Sequence, residues 1–219
     1  MVKEAAAEGW STAKKYVKWG SIIWAVGLLL IGLTFVWPAW DRALTQLGEF
    51  KERTGVKFGI VSTMLLGGVV PTIIHFLTTE RGERMSILQA LGKIGYWAIS
   101  GTLGYYFIKL QTFLWGEKKD VLTITQKVIT DQFPYAMLVN THLVLIIYLF
   151  IDNHYSVWKT HAALKRKSYL HRFIKLLIAS YAVWIPAKVI IYAVPSDLTF
   201  PFQAMMIGLW GVILNLIGD

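Results

Sequence analysis

The sequence predicts an all-α, polytopic membrane helical bundle with about six membrane spans and an N-terminal interfacial amphipathic helix. Three observations carry this reading. The 219 residues are 55% hydrophobic and only 16% charged, where soluble chains carry roughly 25% charged residues. The mean hydropathy is +0.51. The apolar residues fall in long blocks, not in the narrow stripes of a soluble helix. Water is absent from the hydrocarbon core, so backbone groups must pair within each block, and the blocks are read as helices. A secreted disulfide scaffold, a disordered tail and an ordinary cytosolic enzyme are excluded. The chain has no cysteine, which also excludes thiolate metal sites, cysteine nucleophiles and iron–sulfur ligation.

Residues 1–19 come first. In WSTAKKYVKW, Trp10, Ala13 and Val17 share one helical face while Lys14, Lys15 and Lys18 share the other. That is the pattern of a short helix lying in the head-group plane. Two glutamates and no arginine favour a surface anchor over a cleavable targeting peptide. Residues 20–38 form a first span, its apolar block Ser21–Trp37 ending at Pro38. The blocks Phe58–Leu77, Ile87–Trp115, Phe133–Ile151, Phe173–Val194 and Phe200–Ile217 follow. A spanning helix needs about 20 mostly apolar residues. Ile87–Trp115 exceeds this, and we expect it to begin at the interface or to cross tilted. The run HAALKRKSYLHRF reads as an amphipathic linker skimming the membrane. Trp19, Trp37, Trp40, Trp115 and Trp158 sit near block ends, where an aromatic belt belongs. With no internal repeat, residues 1–219 read as a single membrane domain.

Six spans put both termini on one side. Twelve basic residues then lie on that side (Lys3, Lys14, Lys15, Lys18, Arg81, Arg84, Lys159, Lys165, Arg166, Lys167, Arg172 and Lys175) and seven on the other. The excess predicts termini facing the matrix or cytoplasm. The net charge of +9 points to anionic lipids such as cardiolipin, at on the order of 1 kcal/mol per basic residue near the surface. Nucleic acid is not expected.

No G-x-S-x-G, H-E-x-x-H, P-loop or dinucleotide fingerprint occurs, so no catalytic residue, metal site or cofactor is assigned. The candidate site is intramembrane and polar. An ionisable group inside a span costs about 2.5 kcal/mol or more unless it is partnered or near the edge. Lys188 follows Trp184 and Pro186, where a break in the helix would free backbone groups. There it can line a polar cavity, bind an anion or lipid head group, or hold a carboxylate. Asp131, with Gln132 beside it, stands at the mouth of the fourth span. Lys93 and Lys109, about 24 Å apart along one helix, read as snorkelling to opposite interfaces. His75 and His142 fall within the second and fourth spans. They would ligate a metal or haem only if those helices face each other; hydrogen bonding to a neighbouring helix is the preferred reading.

Once these segments are laid out, KVITDQFPYAMLV resembles the D-Q-x-x-aromatic-Ala signature of the Mpv-seventeen family of mitochondrial inner-membrane and peroxisomal membrane proteins. Asp131, Gln132, Tyr135 and Ala136 occupy the matching places. The stretch FIKLLIASYAVWIPAKVIIYAVP is similar to the family's aromatic, L-I-x-N-Y, W-P, V-P run through Phe173, Leu177, Ile178, Tyr181, Trp184, Pro186, Val194 and Pro195. Lys188 and Ile191 stand where the family carries Gln and Asn. The resemblance covers about residues 40–217 and leaves the first span as an addition. It implies a non-enzymatic helical bundle and a pore or solute-handling role. Few pore-lining polar residues and 31 aromatic residues favour another reading: a structural accessory subunit of a larger mitochondrial inner-membrane assembly, a respiratory complex or ATP synthase. Its partners would be other membrane subunits or further copies of itself. A free-standing channel or transporter is the alternative function; a peroxisomal or bacterial inner membrane is the alternative location.

Overall fold

The computed structural model describes residues 2–217, with side chains other than those at positions 15, 16, 18, 19, 23, 166–168, 196, 197 and 211–217. The side chains of Lys15, Lys18 and Trp19, placed above in an amphipathic face and an aromatic belt, lie outside the described residues. Those of Arg166 and Lys167 do as well. Every regular element among the described residues is helical: α1 (Val2–Val36), α2 (Pro38–Thr54), α3 (Val56–Thr63), α4 (Val70–Thr78), α5 (Ile87–Trp115), α6 (Val121–Thr130), α7 (Thr141–Asp152), α8 (Val157–Ala163), α9 (Arg166–Ala193) and α10 (Ser196–Ile217). Two π-helical stretches, Met64–Val69 and Asp131–Asn140, join α3 to α4 and α6 to α7.

Three continuous helices are long and apolar enough to cross a membrane: Val56–Thr78, Val121–Asp152 and Tyr169–Ala193. A fourth arises if Gly20–Val36 and Pro38–Thr54 count as one span bent by 111°. This is fewer than the six blocks suggested. Over its 29 residues α5 carries Lys93 and Lys109 among glycines and tyrosines, which dilute its hydropathy. The apolar part of α10, Leu198–Trp210, is short.

Antiparallel packing orders the bundle. Gly59 faces Gly101, and Gly68 faces Ile94, so α3–α4 runs against α5. Lys93 pairs with Asp152 at one end, and Trp115 donates to Thr130 toward the other, so α5 runs against α6–α7. The close crossing at Gly59 and Gly101 uses the absence of side chains: a Cβ on Gly101 would sit 2.3 Å from the Gly59 carbonyl oxygen. Small residues are the usual means of close helix approach in membranes. Pro134 lies inside the second π stretch and Pro71 follows the first by two residues; the N–H missing at each disrupts the i−4 ladder. The amides that follow shift register, Val70 N–H bonding to Leu65 O and Thr141 N–H to Ala136 O. No such shift marks Pro186; α9 runs through it as one helix.

The N-terminal segment differs from expectation. Residues 2–19 continue without interruption into the first apolar block, and α1 lies along α9 through Ala5, Gly9, Ala13 and Gly20. Close packing selects small side chains there, so Ala13 is buried while Trp10 points outward. Trp24 donates to the Val183 carbonyl at 3.0 Å. Helix α2 is the more amphipathic segment. It turns sharply away from α1 at Pro38, and Trp40 donates to Leu30 O at 2.9 Å across the corner. Its Leu44 packs with Val194, Leu198 and Phe202, while Arg42, Glu49 and Arg53 stay exposed.

Candidate functional site

Two features of α6 carry Asp131 into the bundle. Asp120 caps the helix, accepting from the Thr123 amide and hydroxyl, both at 3.0 Å; these donors hold its carboxyl below the usual range. The helix therefore starts at Val121, well before Phe133, and Asp131 follows its last residue, ten positions into the continuous span Val121–Asp152 and not at its mouth. Residues Thr123, Lys127 and Asp131 follow at four-residue steps on one buried face.

Opposite stands α9, with Tyr181, Lys188 and Tyr192 at steps of seven and four. The Lys188 ammonium donates to Asp131 Oδ2 at 2.6 Å and to Gln203 Oε1 of α10 at 2.7 Å. Tyr192 OH donates to the same Asp131 oxygen at 2.6 Å, and Gln132 Nε2 donates to Oδ1 at 2.7 Å. The Lys188 ammonium also lies 5.6 Å from the Tyr192 ring centroid, within cation–π range. The side chains of Asp131 and Lys188 are 3% and 8% exposed. A buried pair offsets its desolvation only when its remaining hydrogen-bonding capacity is met, and here two helices and a π turn meet it.

Around this centre, Gln111 of α5 donates to Lys127 O at 2.9 Å and to Tyr192 OH at 3.4 Å. Tyr181 OH donates to the Gln132 carbonyl at 2.8 Å, a carbonyl within the widened π turn. Two acceptors stay unmatched: Gln111 Oε1 and Gln132 Oε1 are buried without a donor among the described residues. Each such atom costs about 1–3 kcal/mol.

The other residues singled out from the sequence lie elsewhere. Trp184 packs edge-to-face on Trp210, centroids 6.4 Å apart, beside Ile191 and Met206. Pro186 lies half-buried two positions, about half a turn, from Trp184. Lys109 is exposed, its ammonium 5.1 Å from the Tyr105 ring centroid. Lys93 reaches Asp152 at 3.1 Å. His75 contacts Thr79 Oγ1 through Nδ1 and accepts from the Met85 amide at 3.2 Å. His142 bonds the Tyr169 hydroxyl and stacks on Phe173, centroids 4.4 Å apart. The two histidines have separate partners and form no common site. Among the described residues no group of three or more His, Cys, Asp or Glu is placed to hold a metal.

No family model, curated protein or solved structure matches this chain. The geometry therefore stands by itself. Sequence reasoning missed Gln111, Gln203 and Lys127. Each was visible as a polar residue interrupting an apolar or half-apolar run, but the runs do not say which of them converge.

Proposed function

We propose that this chain is a six-crossing membrane protein that acts without chemistry of its own, as a structural accessory subunit of a larger mitochondrial inner-membrane complex. The Asp131–Lys188 centre carries the reading. Its charges are bound to each other and to Tyr192, Gln132 and Gln203, an arrangement that locks helices together. Large apolar side chains point outward along α1, α5 and α7, among them Leu28, Leu29, Ile99, Phe113 and Ile146, as expected for contact with lipid or other subunits. In this arrangement Gly20–Val36, α3–α4, α5, α6–α7, α9 and α10 cross, and α2 lies close to the membrane plane. The basic excess puts both termini in the matrix, against anionic lipid such as cardiolipin.

Native electrophoresis in mild detergent tests this. The subunit reading expects the chain to co-migrate with a large complex; migration alone, with conductance in liposomes, would replace it. That second reading, a channel of the Mpv-seventeen type, draws on one observation: Gln111 and Gln132 present unmatched oxygens inside the bundle.

A further inference from the structure

Two buried groups short of partners lie beside the Asp131–Lys188 pair. Gln111 Oε1 and Gln132 Oε1 are buried acceptors without donors among the described residues. Lys127, one turn before Asp131, is 3% exposed. Glu117 lies ten positions before it, in the loop between α5 and α6. Linked positions mark a line inward from that loop. It runs from Asp120 to Thr123, then along the same face to Lys127, whose carbonyl binds Gln111. From Gln111 it passes through Tyr192 OH to Asp131. One turn further in, Phe107 stacks on Tyr135 with centroids 3.9 Å apart, and Ala136 is buried. Polar groups lie on the loop side of that stack.

We propose that this line is a one-sided aqueous vestibule. It opens at the 116–120 loop, ends at Asp131–Lys188 and is stopped by the Phe107–Tyr135 stack. Its ligands are water and small polar solutes that give hydrogen bonds to the two amide oxygens. A buried water needs two to four such polar partners, and the two glutamines flank the Tyr192–Asp131 hydrogen bond. The vestibule does not depend on whether the chain is a subunit or a channel, so its test and the electrophoretic one fail separately.

The natural absence of cysteine makes the test clean. Single variants Gln111→Cys and Ala136→Cys, with Lys118→Cys and Lys159→Cys as markers of the two ends, are reconstituted in phosphatidylcholine vesicles. A membrane-impermeant anionic methanethiosulfonate is then added outside. Only an ionised, water-reached thiol reacts readily, so Gln111→Cys should react about tenfold or more faster than Ala136→Cys. It should do so in the same vesicle fraction that exposes Lys118→Cys. Equal rates at the two positions, or reaction from the Lys159 side, would overturn the proposal. Should Gln111→Cys lose wild-type detergent migration, hydroxyl-radical labelling of the unaltered chain decides. Tyr192 and Tyr96 are both buried, at 1% and 4% exposure. Tyr192 should label severalfold more than Tyr96, and equal labelling would refute the vestibule.

Discussion

Removing the Lys188 ammonium leaves the Asp131 carboxylate in the interior with only Tyr192 and Gln132 as donors. Breaking a buried pair from one side costs about 3–5 kcal/mol, far more than replacing both partners together. Lys188→Met should therefore lower the unfolding free energy in detergent by about 3 kcal/mol or more. Asp131→Asn combined with Lys188→Met should recover a large part of that loss. A double variant as unstable as the single one would show that the pair is not the source of the effect. The partnership was half legible: an aspartate and a lysine inside apolar blocks each need a counter-charge, but Lys93 and Lys109 of the preceding block were open to Asp131 as well. Gln203 as the second acceptor was not legible, because nothing in its surroundings distinguishes it from a glutamine facing the interface.

Along α5 the glycines have opposite roles at neighbouring positions. A methyl group added at Gly95 would meet open space, whereas Gly101 lies against Gly59 and Thr63 of α3. Gly95→Ala should stabilise by about 0.5–1 kcal/mol through reduced backbone freedom of the unfolded chain. Gly101→Ala must push α3 and α5 apart and should destabilise by about 1–3 kcal/mol. Thermal unfolding followed by tryptophan fluorescence reads both, and equal shifts would mean the crossing is not tight. The sequence shows both residues as glycines in an apolar helix. Their difference lies in which face meets α3, and that follows from the helix pairing. Proline placement behaves likewise. Pro71 follows a π turn and Pro134 lies inside one, while Pro186 does neither, although all three interrupt apolar helices.

At the scale of the molecule, the direction of each helix is open to a labelling test. The contacts run α1 parallel to α9, with Glu8 beside His171 at 3.0 Å and Lys175 at 3.8 Å and Gly27 beside Ile190. The hydrogen bond to His171, with the Lys175 ammonium nearby, holds the Glu8 carboxyl below its usual range. If all six segments cross, the two termini share a side. If only the three most apolar helices cross, they lie on opposite sides. A cysteine appended to each end in turn should react with an impermeant reagent from the side that exposes Lys159→Cys. Reaction of the two ends from opposite sides would remove an odd number of crossings from the reading.

Composition by itself determined that this chain is helical and suited to a membrane, because apolar blocks with few charges leave the backbone no partner but itself. It also determined that Asp131 and Lys188 need explaining, because an isolated charge is costly in such an interior. Tertiary structure decided the rest. The Asp120 cap moves the start of α6 back to Val121, which places Asp131 within reach of Lys188. Glycine and alanine let α1 lie against α9, which turns an expected surface helix into a packed one. The bend at Pro38 carries α2 away from the axis of α1. Hydropathy is a sum over neighbours in sequence, whereas a salt bridge, a close crossing and a shared polar line depend on which faces meet across space. That pairing is set by the shape of whole helices and cannot be read from any one of them.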